Sequence, residues 1–373
     1  MTLLVDRPTQ SGQAAVHVLI VAVGQYPHLV GGTGKLFTLH GQMGQLSSPP
    51  VSARLVSDWL RRDFVPYNAT LGSIDVLCSG EQEFFDDQDA SVNVDSATLD
   101  NVREAAGRFY DRGNRSRDDT LVFYFCGHGV SSGEVHSLLT EGFGRLARDP
   151  FADAVDAGAF IDGMRTCRAL NQLFLFDACR TVPQDYLLHL GSLRGLPLIS
   201  GAVHANLGNS RQACLWASEL GFPAYGRPNE ATLFADALVA AMRGAAARCD
   251  PATFKWVIET QSLQEGINTF IRRSAGEYRQ FVTPGRMTMG FPLHVLDGFP
   301  IVPVQVICRP PERVSGLQLA CIPGAHQFAG SPWSLELKHG QYTVTATELA
   351  TGALLSSQQC LAVPPSALVK LEV

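Results

Sequence analysis

Three stretches of this chain stay apolar without alternation until they end abruptly: 17–24 (HVLIVAVG), 120–129 (TLVFYFCGHG) and 171–180 (NQLFLFDACR). A strand with one wet face alternates apolar and polar residues, whereas a strand covered on both faces does not. These runs therefore belong in a parallel sheet with helices on both sides. The intervening segments agree. Residues 51–60 and 97–112 carry helical spacing, 73–79 (SIDVLCS) and 213–218 (ACLWAS) read as further strands, and 231–244 reads as a helix behind the last of them. Strands alternating with helices specify an α/β fold with a mostly parallel sheet flanked by helices. Such sheets carry their chemistry at the carboxyl ends of the strands.

From about residue 298 the pattern changes to short segments, several of them alternating, separated by Pro and Gly turns. They read as a small antiparallel β-sandwich, so the chain divides into a domain over 1–297 and a second over 298–373. A length of 373 residues with 46% hydrophobic content suffices for both. His326 and His339 lie in turn-like sequence of the second domain with no acidic or cysteine companion, and read as solvated loop histidines.

Composition removes several functions. Lys plus Arg number 29 against 35 Asp plus Glu, a formal net charge of −6, and no basic run dominates any segment. Nucleic acid is therefore not an expected partner. No apolar stretch approaches the roughly 20 residues that span a bilayer. The opening MTLLVDRPTQ places Asp6 where a secretory signal needs an apolar core. No membrane association is expected, and the reading is cytoplasmic. The nine cysteines are scattered with no CxxC pair, which fits neither a disulfide framework nor a zinc site. The glycine-rich stretch 31–41 ends one motif in Gly34-Lys35, as a phosphate-binding loop would. Leu36, however, stands where a Ser or Thr would hold magnesium, and Pro49 and Pro50 are expected to interrupt the helix that should follow. The stretch reads as a surface loop.

Two strand ends offer groups able to move a proton or attack a carbonyl. His128 sits between Gly127 and Gly129, which allow a sharp turn and a close approach of backbone N–H groups. Cys179 sits in Asp177-Ala178-Cys179-Arg180 at the end of the next apolar strand in sequence. Alone, a Cys after an apolar strand is usually a packing residue, and a lone His usually a satisfied hydrogen-bonder. On neighbouring parallel strands the two emerge at one edge, where they can act as general base and thiol nucleophile. Cys126, two residues before His128, reads as packing.

The Cys follows the His by 51 residues, close to the separation of about 50 in the caspase signature. With these motifs the sequence resembles the caspase/metacaspase superfamily of cysteine proteases, and its prokaryotic caspase-like members best. The resemblance covers 15–295: VHVLIVAVGQY is similar to the family's first strand, TLVFYFCGHG to its histidine strand and LFLFDACR to its cysteine strand. The stretch 216–226 (WASELGFPAYG) followed by ATLFADAL is similar to the substrate-pocket strand, loop and helix, and QFVTPGRMTMGFPLHVL to the closing segment. The resemblance implies that Cys179 attacks a scissile peptide carbonyl while His128 manages the proton. It also implies an oxyanion hole from the N–H groups of Gly129 and Cys179, where one donor is worth about 10²–10³ in rate.

Departures from the family bear on specificity. Aspartate-cleaving caspases carry Gln two residues before the Cys and Arg on the pocket strand, where this chain has Asp177 and, nearby, Gly226. Metacaspases carry acids at the corresponding places, which Asp177 and Glu219 match. Two carboxylates would pair with a P1 Arg or Lys, so cleavage after basic residues is expected. A turn-capping role for Asp177 is the alternative. Calcium is a family activator, but the acidic stretch 81–89 (EQEFFDDQD) lacks the spaced ligands and turn glycine of a calcium loop; it reads as a solvated acidic loop, and no cofactor or metal is expected. Family members also mature by cleavage between the two halves, and the connector 181–212 contains Arg194 and Arg211. Bacterial members are often antiphage or cell-death effectors, switched on by a nucleotide-derived messenger such as a TIR protein makes, or by a protein activator. The C-terminal β-domain is the module where such a signal would act. The rival readings are a pseudoprotease used as a binding scaffold, and a Cys179-dependent amidase or acyltransferase.

Overall fold

The computed structural model describes residues 3–8, 12–190, 192–199, 210–274, 279–324, 326–328 and 333–373. The chain divides into two compact units. One comprises Met1–Val239 with Ile271–His294, and the other Ala240–Phe270 with Val295–Val373.

In the first unit a seven-stranded sheet is built from β1 (Leu3–Asp6), β2 (Ala15–Val23), β3 (Thr70–Ser79), β4 (Thr120–Cys126), β5 (Asn171–Asp177), β6 (Arg211–Trp216) and β7 (Thr283–Met287). Their spatial order is β1-β3-β2-β4-β5-β6-β7. The five central strands run parallel, and the outermost two are antiparallel to their neighbours. All nine residues of β2 and all seven of β4 are buried, which is why neither alternates in sequence. One face of the sheet presents Leu19, Val21, Phe123, Phe125, Phe174 and Phe176 to a single apolar cluster. Helix α2 (Leu99–Gly113) closes that cluster with Leu99, Val102, Ala105, Ala106 and Phe109, a stripe at helical spacing. Thr98 caps α2, its hydroxyl accepting from the N–H of Asn101 at 3.3 Å.

Helix α1 (Ser48–Arg62) begins earlier than its periodicity indicates. Pro49 and Pro50 were expected to interrupt it, but they occupy its first turn. Proline's fixed φ suits those positions, and the N–H groups it lacks have no helical acceptor there. Beyond β4, Gly129–Ser132, Val135–Leu139 and Ala154–Asp156 form a small antiparallel sheet. It is followed by α3 (Ala157–Met164), α4 (Gln184–His189) and, after β6, α5 (Leu233–Ala240). α6 (Thr260–Ser274) is the last helix.

Among the described residues the second unit holds an antiparallel pair, Ala247–Cys249 with Trp256–Glu259, and, within 301–372, two sheets. One is β11-β8-β14, from β8 (Ile301–Arg309), β11 (Trp333–Lys338) and β14 (Ala367–Glu372). The other is β10-β9-β12-β13, from β9 (Leu317–Ile322), β10 (His326–Phe328), β12 (Gly340–Glu348) and β13 (Leu354–Ala362). Pairing is antiparallel except between β8 and β14, which run parallel. Alternate residues of β8 and β9 meet in a separate core with Trp333, Leu337 and Val344. His339 is not a solvated loop residue. Its Nδ1 lies 2.9 Å from the Ala362 carbonyl, and its ring packs 4.9 Å from that of Trp256. The side chain of His326 lies outside the described residues.

Candidate active site

Parallel pairing of β4 with β5 sets Cys126 opposite Asp177. His128 and Cys179 each lie two residues further on, so both leave the same edge of the sheet from adjacent strands. The glycines around His128 are dictated by contact. A methyl group at Gly127 would lie 2.8 Å from the Tyr26 hydroxyl, and one at Gly129 would lie 2.7 Å from the Cys179 carbonyl oxygen. The first would displace Tyr26 from the His128 turn, and the second would push the two strand ends apart.

His128 is held at three points. Its backbone N–H donates to the Tyr26 hydroxyl at 2.8 Å, and its ring stands 4.8 Å from the Tyr26 ring. Its Nε2 lies 2.8 Å from the carbonyl oxygen of Gly44. A carbonyl only accepts, so Nε2 carries the proton and the neutral ring leaves Nδ1 free to act as base. Burial pushes the His128 pKa down, and the bond to Gly44 opposes that shift.

Cys179 is partly buried. The N–H of Ala224 donates to its Sγ at 3.3 Å, and the thiol faces the Ala224 carbonyl at 3.6 Å. The same loop grips the next residue, with Arg180 N–H on the Phe222 carbonyl at 3.1 Å and Gly221 N–H on the Arg180 carbonyl at 2.8 Å. Burial raises the thiol pKa, the Ala224 amide lowers it, and the charge of Asp177 raises it. Both shifts favour the uncharged forms of the pair over an imidazolium–thiolate ion pair.

Asp177 is 4% exposed. Its Oδ2 accepts from the Tyr124 hydroxyl at 2.9 Å, from the Thr232 hydroxyl, and from the Cys126 thiol at 3.5 Å. Burial raises its pKa to about 6, against the pull of those three donors. It caps no turn. Cys126 is buried packing that also donates to this carboxylate. Glu219 is exposed, in a turn closed by Phe222 N–H on its own carbonyl at 3.1 Å. The two acids expected to share a pocket therefore occupy different surroundings. At Gly226 a methyl group would lie 2.5 Å from Ser48 Oγ, leaving no room for an arginine.

In the connector, Arg194 is exposed and approaches Asp156 at 3.5 Å. The residues after it are tied down, Gly195 N–H to Ser137 Oγ at 2.9 Å and Leu196 N–H to the Ala154 carbonyl at 2.8 Å. Arg211 is the first residue of β6, in register with Asn171, so cleavage after it requires β6 to leave the sheet. Residues 200–209 of the connector lie outside the described residues. Two acids of the acidic stretch are paired with arginines: Asp87 with Arg7 at 2.8 Å, and Asp89 with Arg61 at 2.6 Å and Arg62 at 3.0 Å. Among the described residues no group of three or more His, Cys, Asp or Glu is placed to hold a metal ion. No described helix is long and apolar enough to cross a membrane.

Sequence reasoning singles out His128, Cys179 and Asp177 because each lies at the end of an apolar run. It missed Tyr26, Gly44, Ala224 and Thr232, which reach the site from distant segments. Tyr26, two residues past the end of the first apolar run, had a positional signal; a backbone carbonyl such as that of Gly44 has none.

Comparison with known proteins gives three findings. The family model for the caspase domain matches residues 18–259. An uncharacterized protein of Sinorhizobium fredii, y4kE, is 23% identical over 286 residues, spanning 74% of this chain and 82% of that protein. Among solved structures, caspase-1 from Spodoptera frugiperda aligns with a TM-score of 0.42 at 11% identity, over 76% of this chain and 94% of that one.

Proposed function

The chain belongs to the caspase-domain family of cysteine peptidases, and from that premise we propose that it is an endopeptidase cleaving polypeptides after Arg or Lys, with Cys179 as nucleophile and His128 as base. The observation that carries the reading is the shared sheet edge, where His128 holds Nε2–H on Gly44 and keeps Nδ1 unprotonated. In the first step Sγ attacks the scissile carbonyl as its proton passes to His128 Nδ1. His128 then returns that proton to the leaving amine, and water releases the acyl group from Cys179. The N–H groups of Gly129 and Cys179 are the proposed donors to the oxyanion.

Basic specificity rests on Asp177, a carboxylate at the strand end with no arginine accommodated at Gly226. Glu219 is the proposed second acid, at the exposed rim. The C-terminal β-domain, 298–373, is the proposed regulatory module, answering a protein activator or a nucleotide-derived messenger, and the protein is proposed to act in the cytoplasm in a bacterial defence or cell-death role. Calcium is a candidate activator to include in the assay.

Fluorogenic peptides varied at P1, tested on the wild type and Cys179→Ala, decide the reading. Turnover after Arg or Lys that vanishes in Cys179→Ala is the expected result. Turnover after Asp overturns the pocket assignment, and turnover that survives Cys179→Ala overturns the nucleophile.

A further inference from the structure

Around His128 a second set of contacts closes on itself. Tyr26 is fully buried. Its hydroxyl accepts the His128 backbone N–H at 2.8 Å and lies 3.3 Å from the Leu139 carbonyl, to which it donates. Its backbone is clasped by one side chain: Tyr26 N–H donates to Gln45 Oε1 at 2.8 Å, and Gln45 Nε2 donates to the Tyr26 carbonyl at 2.9 Å. The same Nε2 also reaches the Val30 carbonyl at 3.0 Å, and Val30 N–H bonds the Met43 carbonyl at 3.2 Å. Gln45 directly follows Gly44, whose carbonyl receives His128 Nε2–H. The circuit runs from the His128 ring to Gly44, along the chain to Gln45, through its amide to Tyr26, and from the Tyr26 hydroxyl back to the His128 backbone.

We propose that Tyr26 and Gln45 are positioning residues that fix His128 by a closed hydrogen-bonded frame, Gln45 holding the Gly44 carbonyl in place and Tyr26 holding the turn that carries the ring. The inference rests on the reading of His128 as the base. A carbonyl on a loop is a poor anchor for a ring unless the loop itself is tethered. The primary amide of Gln45 supplies that tether because it donates and accepts at once. Tyr26 adds a ring face and a hydroxyl, so that both ends of the histidine are held. Neither residue touches the reacting atoms, and each acts through His128.

Two nearly isosteric variants test the frame, Gln45→Met and Tyr26→Phe, each checked against wild type for its melting temperature. The first readout needs no turnover: exchange with water of the His128 ring N–H, followed by NMR in the full chain with 15N-labelled histidine and assigned by its loss in His128→Gln. Exchange at least about tenfold faster in Gln45→Met, with kcat reduced by a similar factor and KM within about twofold, is the expected result, because misplacing a base alters the step and not the binding. Unchanged exchange in both variants overturns the frame. Should Gln45→Met fail to fold, Tyr26→Phe decides alone by the same criterion. If the wild type cleaves no peptide, the function proposed above falls, while ring-proton exchange still decides the frame.

Discussion

At Asp177, three donors and burial act in opposite directions, and burial prevails, raising the pKa to about 6. The acid is therefore neutral below that pH and charged above it. A P1 guanidinium needs the charged form, so kcat/KM for Arg peptides is expected to climb as pH rises through about 6. Asp177→Asn should remove that limb and lower cleavage after Arg by at least about tenfold; a limb that persists in the variant assigns it elsewhere. For stability the sign follows from the folded pKa lying above the ordinary value of 3.8. The contribution of Asp177 is complete below that ordinary value and is lost as pH rises through about 6. His17 behaves oppositely. Burial, with the charges of Arg112 and Arg115, depresses its pKa to about 4, while Nδ1 bonds Ser73 Oγ at 2.9 Å. Its contribution is present above the ordinary 6.5 and lost as pH falls through about 4, a change of about 3 kcal/mol. Over the same range Asp177 regains stability, so the His17 loss is read in urea unfolding between pH 7 and 4 as the difference in pH dependence between the wild type and His17→Gln, the wild type falling relative to the variant as pH drops. Equal slopes would count against it.

Helix α2 and the His128 turn show how single elements carry the site. Thr98 satisfies one of the unpaired amides at the start of α2, so Thr98→Ala should cost about 1 kcal/mol in urea unfolding. It should leave turnover intact, because the bond removed joins Thr98 to Asn101 within α2 and none of the bonds described at His128, Cys179 or Asp177 involves Thr98. Gly129→Ala should do the reverse. Its methyl group meets the Cys179 carbonyl at 2.7 Å and the Ala178 side chain at 2.9 Å, so turnover is expected to be lost even where the protein still folds. Retained turnover in Gly129→Ala would show that the two strand ends are not held as tightly as these contacts require. The loop 219–226 matters in the same way. Its backbone holds both Cys179 and Arg180, so a substrate strand reaching Sγ has to displace or extend that pairing.

The two units have separate apolar cores, one around the sheet aromatics and one around Val304, Leu319 and Trp333. Two thermal transitions are therefore expected in calorimetry. Leu319 is fully buried in the second core, and Leu319→Ala should destabilise that unit by about 2–5 kcal/mol, lowering one transition only. A single transition that shifts as a whole would show that the units unfold together. Much of this organisation is legible in the chain. Unbroken apolar runs reveal the central strands, and the change of pattern near residue 298 reveals the β-rich part. The assignment of 240–270 to the second unit is not legible, because two short strands and the periodicity of a helix do not record which part of the chain they join. The parallel β8–β14 pair is equally silent, since alternation marks a strand's faces and not its direction.

The sequence by itself determined the parallel sheet, its order of strands and helices, and the presence of a His and a Cys at two strand ends. These are local matters: periodicity and the residue that breaks a run are properties of adjacent positions. Tertiary structure alone decided which ring nitrogen of His128 holds a proton, that the Cys179 thiol rests on Ala224, and that Asp177 is buried among hydroxyls while Glu219 faces water. These depend on groups 45 to 84 residues away, and on burial, which acts on charge only once the chain has closed around it.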